Sequence, residues 1–464
     1  MLETEKFPAL IKEALFGSKR VFTAISIDHA IILLAMPMVL EMAMESLFGI
    51  VDIFFVAHLG ADATATVGIT EGMLVLVSAV SLGLGMATTA IIARRMGEND
   101  RMGASQTALH SILIGAGLSV ALFAFCFPFA PGLLALMGAS PSILKEGSVY
   151  ARIMMSGSGI VLMLFLINAI FRGAGDASIA MRVLWIANLI NLCLDPCLIL
   201  GLGPFPRMGL NGAAVATTTG RSAGILMQMY FLGKTGTHIK IAPQSFRINF
   251  RLMARIIRIA LSGSMQFIIS TASWIVMVRL VQSFGSAATA GCTVAIRIVL
   301  FSLLPSWGLG SAAATLVGQH LGARQPEQAA RSVWRAGFFN MLFLGALSLL
   351  LVLYSPEVVG IFTDDSLVKA IGANCLRIIS VGYILFAYGM VILQGFNGAG
   401  DTFTPLMINA AAYWVIQLPL SFLLAHQFKL GPQGVFWAML IAGATLSLIS
   451  IYLFRRGGWK EQTV

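Results

Sequence analysis

FRGAGDASI, residues 171–179, returns as FNGAGDTFT at residues 396–404, an offset of 225. The same offset lays GLGMATTAIIARRMG (83–97) on GLGSAAATLVGQHLG (308–322), Pro131 on Pro356 and Arg152 on Arg377. One ungapped register over so much chain marks an internal duplication, and composition says what is duplicated. Of 464 residues, 58% are hydrophobic and 11% charged, against about 25% charged in a soluble domain. The chain reads as a polytopic membrane protein. A hydrocarbon core of about 30 Å needs roughly 20 helical residues, and a helix satisfies its own backbone polar groups there. Twelve stretches qualify: 30–57, 67–93, 106–128, 149–171, 179–201, 210–231, 256–282, 288–316, 333–354, 372–396, 404–426 and 432–454. The expected fold is all-α, with twelve transmembrane helices in two six-helix lobes, at 30–231 and 256–454. An amphipathic N-terminus (1–29), an inter-lobe loop (232–255) and a tail (455–464) complete the chain. Six is even, so both lobes enter the membrane in the same sense, a parallel repeat with its site between the halves.

The net charge of +10 does not point to nucleic acid. Twenty-one Lys and Arg lie in or at the edges of alternate segments that include both termini, against four (Lys145, Arg207, Lys369, Lys429) in the opposite loops. By the positive-inside rule both termini are expected in the cytoplasm. The basic, amphipathic stretch RINFRLMARIIRIA at the end of the joining loop reads as an interfacial helix on anionic headgroups. The five cysteines sit in or beside spans and make no secreted-type disulfide framework. The N-terminus lacks the apolar core of a signal peptide. No Asn-x-Ser/Thr site occurs, which suits a bacterial inner membrane.

Against this background LEMAMESLFGIVDIFF (40–55) places Glu41, Glu45 and Asp52 in one span. Each charge near a bilayer centre costs roughly 3 kcal/mol on insertion scales. The repeat supplies a control. At the 225 offset Glu41 meets Gln266, Glu45 meets Ser270, Asp52 meets Met277, Glu71 meets Ile296 and Asp195 meets Leu420. The second lobe builds the same helices without acids, so the scaffold does not require them. At about 100° per residue Glu41, Glu45 and Asp52 form one stripe, expected to face a cavity. At about 1.5 Å per residue Asp52, Asn191, Asp195 and Thr217 fall in the outer half of the first lobe. Two carboxylates, an amide oxygen and a hydroxyl are hard ligands that suit a small cation such as Na+. Two close carboxylates cannot both ionise cheaply, so the same group suits a proton.

The span-1 end VDIFFVAHLGADATATVG, the span-2 close GLGMATTAIIARRMG, FRGAGD after span 4 and NLCLDPCLILG in span 5 resemble the MATE (multidrug and toxic compound extrusion) family. The likeness runs from about residue 28 to 454. It implies an efflux antiporter that exchanges organic, often cationic, compounds for protons or sodium ions by alternating access. It also implies a coupling site at Asp52, Asn191, Asp195 and a span-6 Thr, with Thr217 the match and Thr218 and Thr219 beside it. Spans 7, 8 and 10 hold no Asp or Glu, which concentrates coupling in the first lobe and favours protons over sodium. The resemblance further implies bending of span 1 near Pro37. Pro37 and Pro196 each remove a helical hydrogen bond and permit a kink.

Other residues keep two readings each. Glu45 is either a substrate contact or the partner of Arg221, which lies at similar depth in span 6. Glu41 is a candidate substrate contact or proton relay, and Glu71 stands near the outer mouth as a cavity or interfacial residue. CLDPC (193–197) reads as packed thiols, since no His stands nearby to complete a metal site. Met36, Met38, Met42 and Met44 line either the pocket or lipid. No P-loop, His cluster or nucleophile motif suggests an enzyme, and no cofactor is expected beyond the coupling ion. The expected partners are small organic cations and the lipid bilayer, with the chain working as a monomer. The rival reading is a lipid-linked saccharide flippase, for which basic residues inside the spans are few.

Overall fold

The computed structural model describes residues 7–18, 20–234, 238–241 and 248–462. The expected N-terminal segment, inter-lobe loop and tail therefore lie partly outside the described residues, at 1–6, 19, 235–237, 242–247 and 463–464. Among the described residues the chain is helical and has no strand. A surface helix α1 (Phe7–Phe16) precedes the first lobe, formed by α2 (Ile27–Ala57), α3 (Ala61–Gly97), α4 (Arg101–Leu136), α5 (Pro141–Ser156), α6 (Ser158–Ala174), α7 (Ala177–Leu200) and α8 (Leu210–Gly233). The second lobe holds α9 (Phe250–Gln282), α10 (Ser286–Gly322), α11 (Pro326–Leu353), α12 (Ser355–Gly360), α13 (Ser366–Val381) and α14 (Tyr383–Gly398). It ends with α15 (Phe403–Ala410), α16 (Leu418–Phe422) and α17 (Pro432–Arg456), and π-helical turns continue α15 and α16.

Each expected span has its helix. Among the described residues ten are long and apolar enough to cross a membrane, taking α5–α6 as one, and the bent pair α13–α14 adds an eleventh. The break in each lobe falls at a repeat-related glycine, Gly157 or Gly382. The sixth span, α8, has 24 residues but is not among the apolar ones. Its Thr217–Thr219, Arg221 and Gln228 make it polar; Thr217 and Arg221 turn to the cavity, while Leu226, Met229 and Tyr230 are exposed on its outer face. The joining segment also differs from expectation. α9 begins at Phe250, capped by Asn249 Oδ1 accepting from the Leu252 amide at 3.1 Å. The basic stretch from Arg251 therefore forms the first turns of the seventh span, and no separate interfacial helix stands among the described residues.

Lipid tails are as apolar as Leu, so helices associate in a bilayer through close packing of small residues. The lobes meet in that way. A Cβ on Gly83 would lie 2.4 Å from the Ser264 amide nitrogen, and one on its repeat mate Gly308 would lie 2.6 Å from that of Val39. At the helix ends a Cβ on Gly97 would stand 2.0 Å from the Gln319 carbonyl, and one on Gly322 2.1 Å from that of Arg94. These contacts exchange under the 225 offset, so the pseudo-twofold axis passes between α3 and α10. The seam lies at the end of the bundle that holds the first and last described residues. There Arg94 donates to the Gln462 carbonyl (3.0 Å), Lys460 meets Glu327 (2.8 Å) and Arg335 makes a two-toothed bridge to Asp28 (2.9 and 2.5 Å).

The described part of the inter-lobe loop is pinned to this end. The His238 amide donates to Asp176 Oδ2 at 2.7 Å, and its ring Nδ1 lies 2.5 Å from Asp176 Oδ1. The hydrogen bond to Asp176 holds the His238 imidazolium above the usual range, against burial, and the Asp176 charge adds to it while Arg101 opposes. A raised folded-state value means the contribution is full below the ordinary His value near 6.5 and fades as pH rises through the folded value. His238→Ala is therefore expected to lower the melting temperature more at pH 6 than at pH 9; an equal drop at both would refute the ionic contact.

Candidate ion and substrate site

Above the seam the lobes part around a cavity of about 480 Å3. On α2, Glu45, Phe48 and Asp52 recur at helical spacing and reach its wall, joined by Glu71 of α3 and Thr217 and Arg221 of α8. Glu41 continues that stripe but is fully buried and does not line the wall. Arg172 Nη1 (3.3 Å) and Asn168 Nδ2 (3.1 Å) from α6 reach its Oε1 and cover it. This corrects the expectation of direct substrate contact. The repeat mates Gln266 and Asn397 are also joined, Gln266 Nε2 donating to Asn397 Oδ1 at 3.0 Å. One contact is thus ionic in the first lobe and amide-to-amide in the second.

Glu45 and Arg221 form a fork, with Nη2 to Oε1 at 2.6 Å and Nη1 to Oε2 at 3.2 Å, and Asn188 Nδ2 also donates to Oε2 at 3.3 Å. The guanidinium lies over the rings of Phe48 (4.9 Å) and Phe165 (5.7 Å). Breaking a buried pair leaves one charge uncompensated and costs about 3–5 kcal/mol. Glu45, 23% exposed in its side chain, puts Arg221→Met near the lower end. Glu45→Arg combined with Arg221→Glu is expected to recover most of that loss in a melting assay. A double variant no more stable than either single one would contradict the pairing.

Closer to the end opposite the termini, Asn191 Nδ2 donates to Asp195 Oδ1 at 3.4 Å and to Thr217 Oγ1 at 3.2 Å. Thr218 instead returns its hydroxyl to the Ala214 carbonyl, so Thr217 is the span-6 hydroxyl in this cluster. Asp52 Oδ1, Asn191 Oδ1 and Asp195 Oδ2 are buried acceptors without a donor among the described residues. An unpaired buried acceptor costs about 1–3 kcal/mol, so this corner is suited to take up a proton or cation. In the second lobe the one-residue register needs correcting. Gly212 packs on Leu198 and Ile199, Gly434 on Leu424 and Ala425, an offset of 226 along this span. Asp195 therefore corresponds to Ser421, not Leu420, because the π-helical stretch Ala411–Gln417 accommodates an extra residue. Ser421 meets the sulfur of Met277, the mate of Asp52, at 3.3 Å. The corresponding corner of the second lobe is neutral and closed.

Residues 37–197 and 263–423 each match the MatE family. The chain belongs to the MATE family. The two matched stretches lie one residue from the 225 offset, as two copies of one unit should. This MATE transporter is similar to "Probable multidrug resistance protein YoeA" of Bacillus subtilis, 26% identical over 95% of this chain and 96% of that one. It is equally close to "Probable multidrug resistance protein NorM" of Thermotoga maritima, 26% identical over 94% of each chain. A solved structure described as the outward-facing conformation of a multidrug resistance MATE family transporter superposes with TM-score 0.89. It is 26% identical, over 96% of this chain and 99% of that one.

Pro37 and Pro196 lie inside α2 and α7, and each helix runs on through its proline. Of the four early methionines Met42 alone lines the cavity. Cys193 is exposed on the bundle surface, so CLDPC is not a packed thiol pair. Arg172, on the cavity wall of this MATE transporter, escaped the sequence reading. Applying the repeat comparison to bases as well as acids reveals it, since its mate is Asn397.

Proposed function

We propose that this MATE transporter is a secondary active antiporter that exports cationic or amphipathic organic compounds in exchange for protons. The observation that carries this reading is the corner of Asp52, Asn191, Asp195 and Thr217, where three buried acceptors lack donors beside the cavity wall. An ionised Asp52 attracts an organic cation into the cavity. Uptake of a proton by the carboxylate pair cancels that attraction and releases the cargo. Asn191 holds one Asp195 oxygen and the Thr217 hydroxyl, so the pair keeps its geometry through the cycle. Sodium ions would occupy the same oxygen set, and the neutral second lobe favours protons. Bending of α2 at Pro37 and of α7 at Pro196 would couple occupancy to closure of the cavity.

In this reading both termini face the cytoplasm of a bacterial inner membrane, on the strength of the Lys and Arg distribution. The seam then closes the cytoplasmic side, the transporter works as a monomer, and it carries no enzymatic chemistry. Equilibrium binding of a fluorescent organic cation to purified protein tests the competition. Binding is expected to weaken as pH falls from 8 to 5 and to ignore added sodium chloride beyond ionic-strength controls. Affinity constant over that pH range would sink the proton reading, and competition by sodium alone would replace it with a sodium one.

A further inference from the structure

The two walls of the cavity differ in kind. Every charged side chain on it comes from the first lobe, whereas the wall of the second lobe is neutral. That wall carries Phe267 of α9 and Trp307 of α10, set edge to face with ring centroids 5.6 Å apart and planes at 86°. The repeat control used for the acids applies here too. At the 225 offset the mates are Met42 and Leu82, which line the cavity on the other side. The scaffold therefore fills both positions with aliphatic side chains where no ring is needed.

The aromatic faces on the two walls are also in different states. Phe48 and Phe165 already hold the Arg221 guanidinium. Among the described residues no Lys or Arg stands over Phe267 or Trp307. The indole N–H groups of Trp185, Trp414 and Trp459 each donate to a backbone carbonyl; those of Trp274, Trp307, Trp334 and Trp437 have no such acceptor among the described residues, and of these four Trp307 alone lines the cavity. Trp307 is half-buried, so that donor stays open to an occupant of the cavity. Ring faces attract cations and stack on flat rings; on the facing wall Asp52 and Glu71 make no salt bridge among the described residues, although the Arg297 charge acts on Glu71.

We propose that Phe267 and Trp307 form the aromatic half of the substrate site and select planar aromatic cations over aliphatic ones. The flat ring system stacks against the pair while its charge points along the cavity towards the end that holds Asp52 and Glu71. This inference rests on the exporter reading and adds the residues that choose the cargo. The cavity volume falls within the roughly 300–1,000 Å3 of small-molecule sites.

Equilibrium dialysis with purified protein tests it, using ethidium as a planar aromatic cation and tetrabutylammonium as a cation whose charge is shielded by butyl chains. Trp307→Leu and Phe267→Leu are expected to weaken ethidium about tenfold each and tetrabutylammonium less than about twofold. Trp307→Phe, which keeps a ring and removes the N–H, should hold ethidium within about threefold of the parent protein. Retained tetrabutylammonium binding shows that the variants are folded. Unchanged ethidium affinity in both leucine variants, or equal loss of both ligands, overturns the inference while leaving the exporter reading intact. Parent protein that binds neither cation overturns both.

Discussion

Asp195→Asn is expected to leave the protein inserted and folded and to abolish accumulation driven by a pH gradient. One proton falling through two pH units releases about 2.7 kcal/mol, enough to hold a roughly 100-fold cargo gradient. The amide is nearly isosteric, keeps an acceptor towards Asn191 and cannot cycle a proton, so the ratio should collapse to about 1. Asp52→Asn should do the same and also weaken cation binding, because Asp52 stands on the cavity wall and Asp195 behind it. In vesicles with a quenched acid interior, accumulation ratios of a fluorescent cation distinguish the two variants. Wild-type accumulation in either would end the assignment of coupling to this corner.

The second large effect belongs to the seam. Gly97→Val and Gly322→Val would each drive a side chain into a carbonyl of the opposite lobe, where even a Cβ finds 2.0 or 2.1 Å. Backbone cannot yield as a flexible side chain can, so the lobes must part at the end that carries the termini. Transport per molecule in the membrane is expected to fall more than about tenfold. Thr315 is fully buried at the seam and donates to the Arg172 carbonyl at 3.2 Å. With Cys193 and Cys197 replaced by Ala, a Thr315→Cys reporter should react slowly with a polar maleimide in the parent protein and quickly beside Gly97→Val. Equal labelling rates would show that the close approach does not hold the lobes together.

Much of this architecture was legible because a duplicated membrane protein repeats its punctuation. The GAGD turns, the paired prolines and the glycines at 83, 97, 308 and 322 all answer to packing demands that recur in each lobe. The acids stood out for the complementary reason, being absent from their mates. What the sequence hid was local. A π-helical turn leaves no mark in composition, so Ser421 rather than Leu420 came to stand opposite Asp195. Helical phase placed Glu41 on the same stripe as Glu45, but phase says nothing of Arg172 and Asn168 reaching from another helix to cover it. The sixth span was legible despite its polarity: α8 is not among the apolar helices, yet its length and place in the repeat marked it at 210–231.

The most direct test of the account is cation transport by purified protein in liposomes, with a pH gradient and a sodium gradient imposed in turn. The account predicts transport under the pH gradient alone, abolished by Asp195→Asn and untouched by sodium. Transport that follows sodium alone, or a pH-driven flux that survives Asp195→Asn, would contradict it.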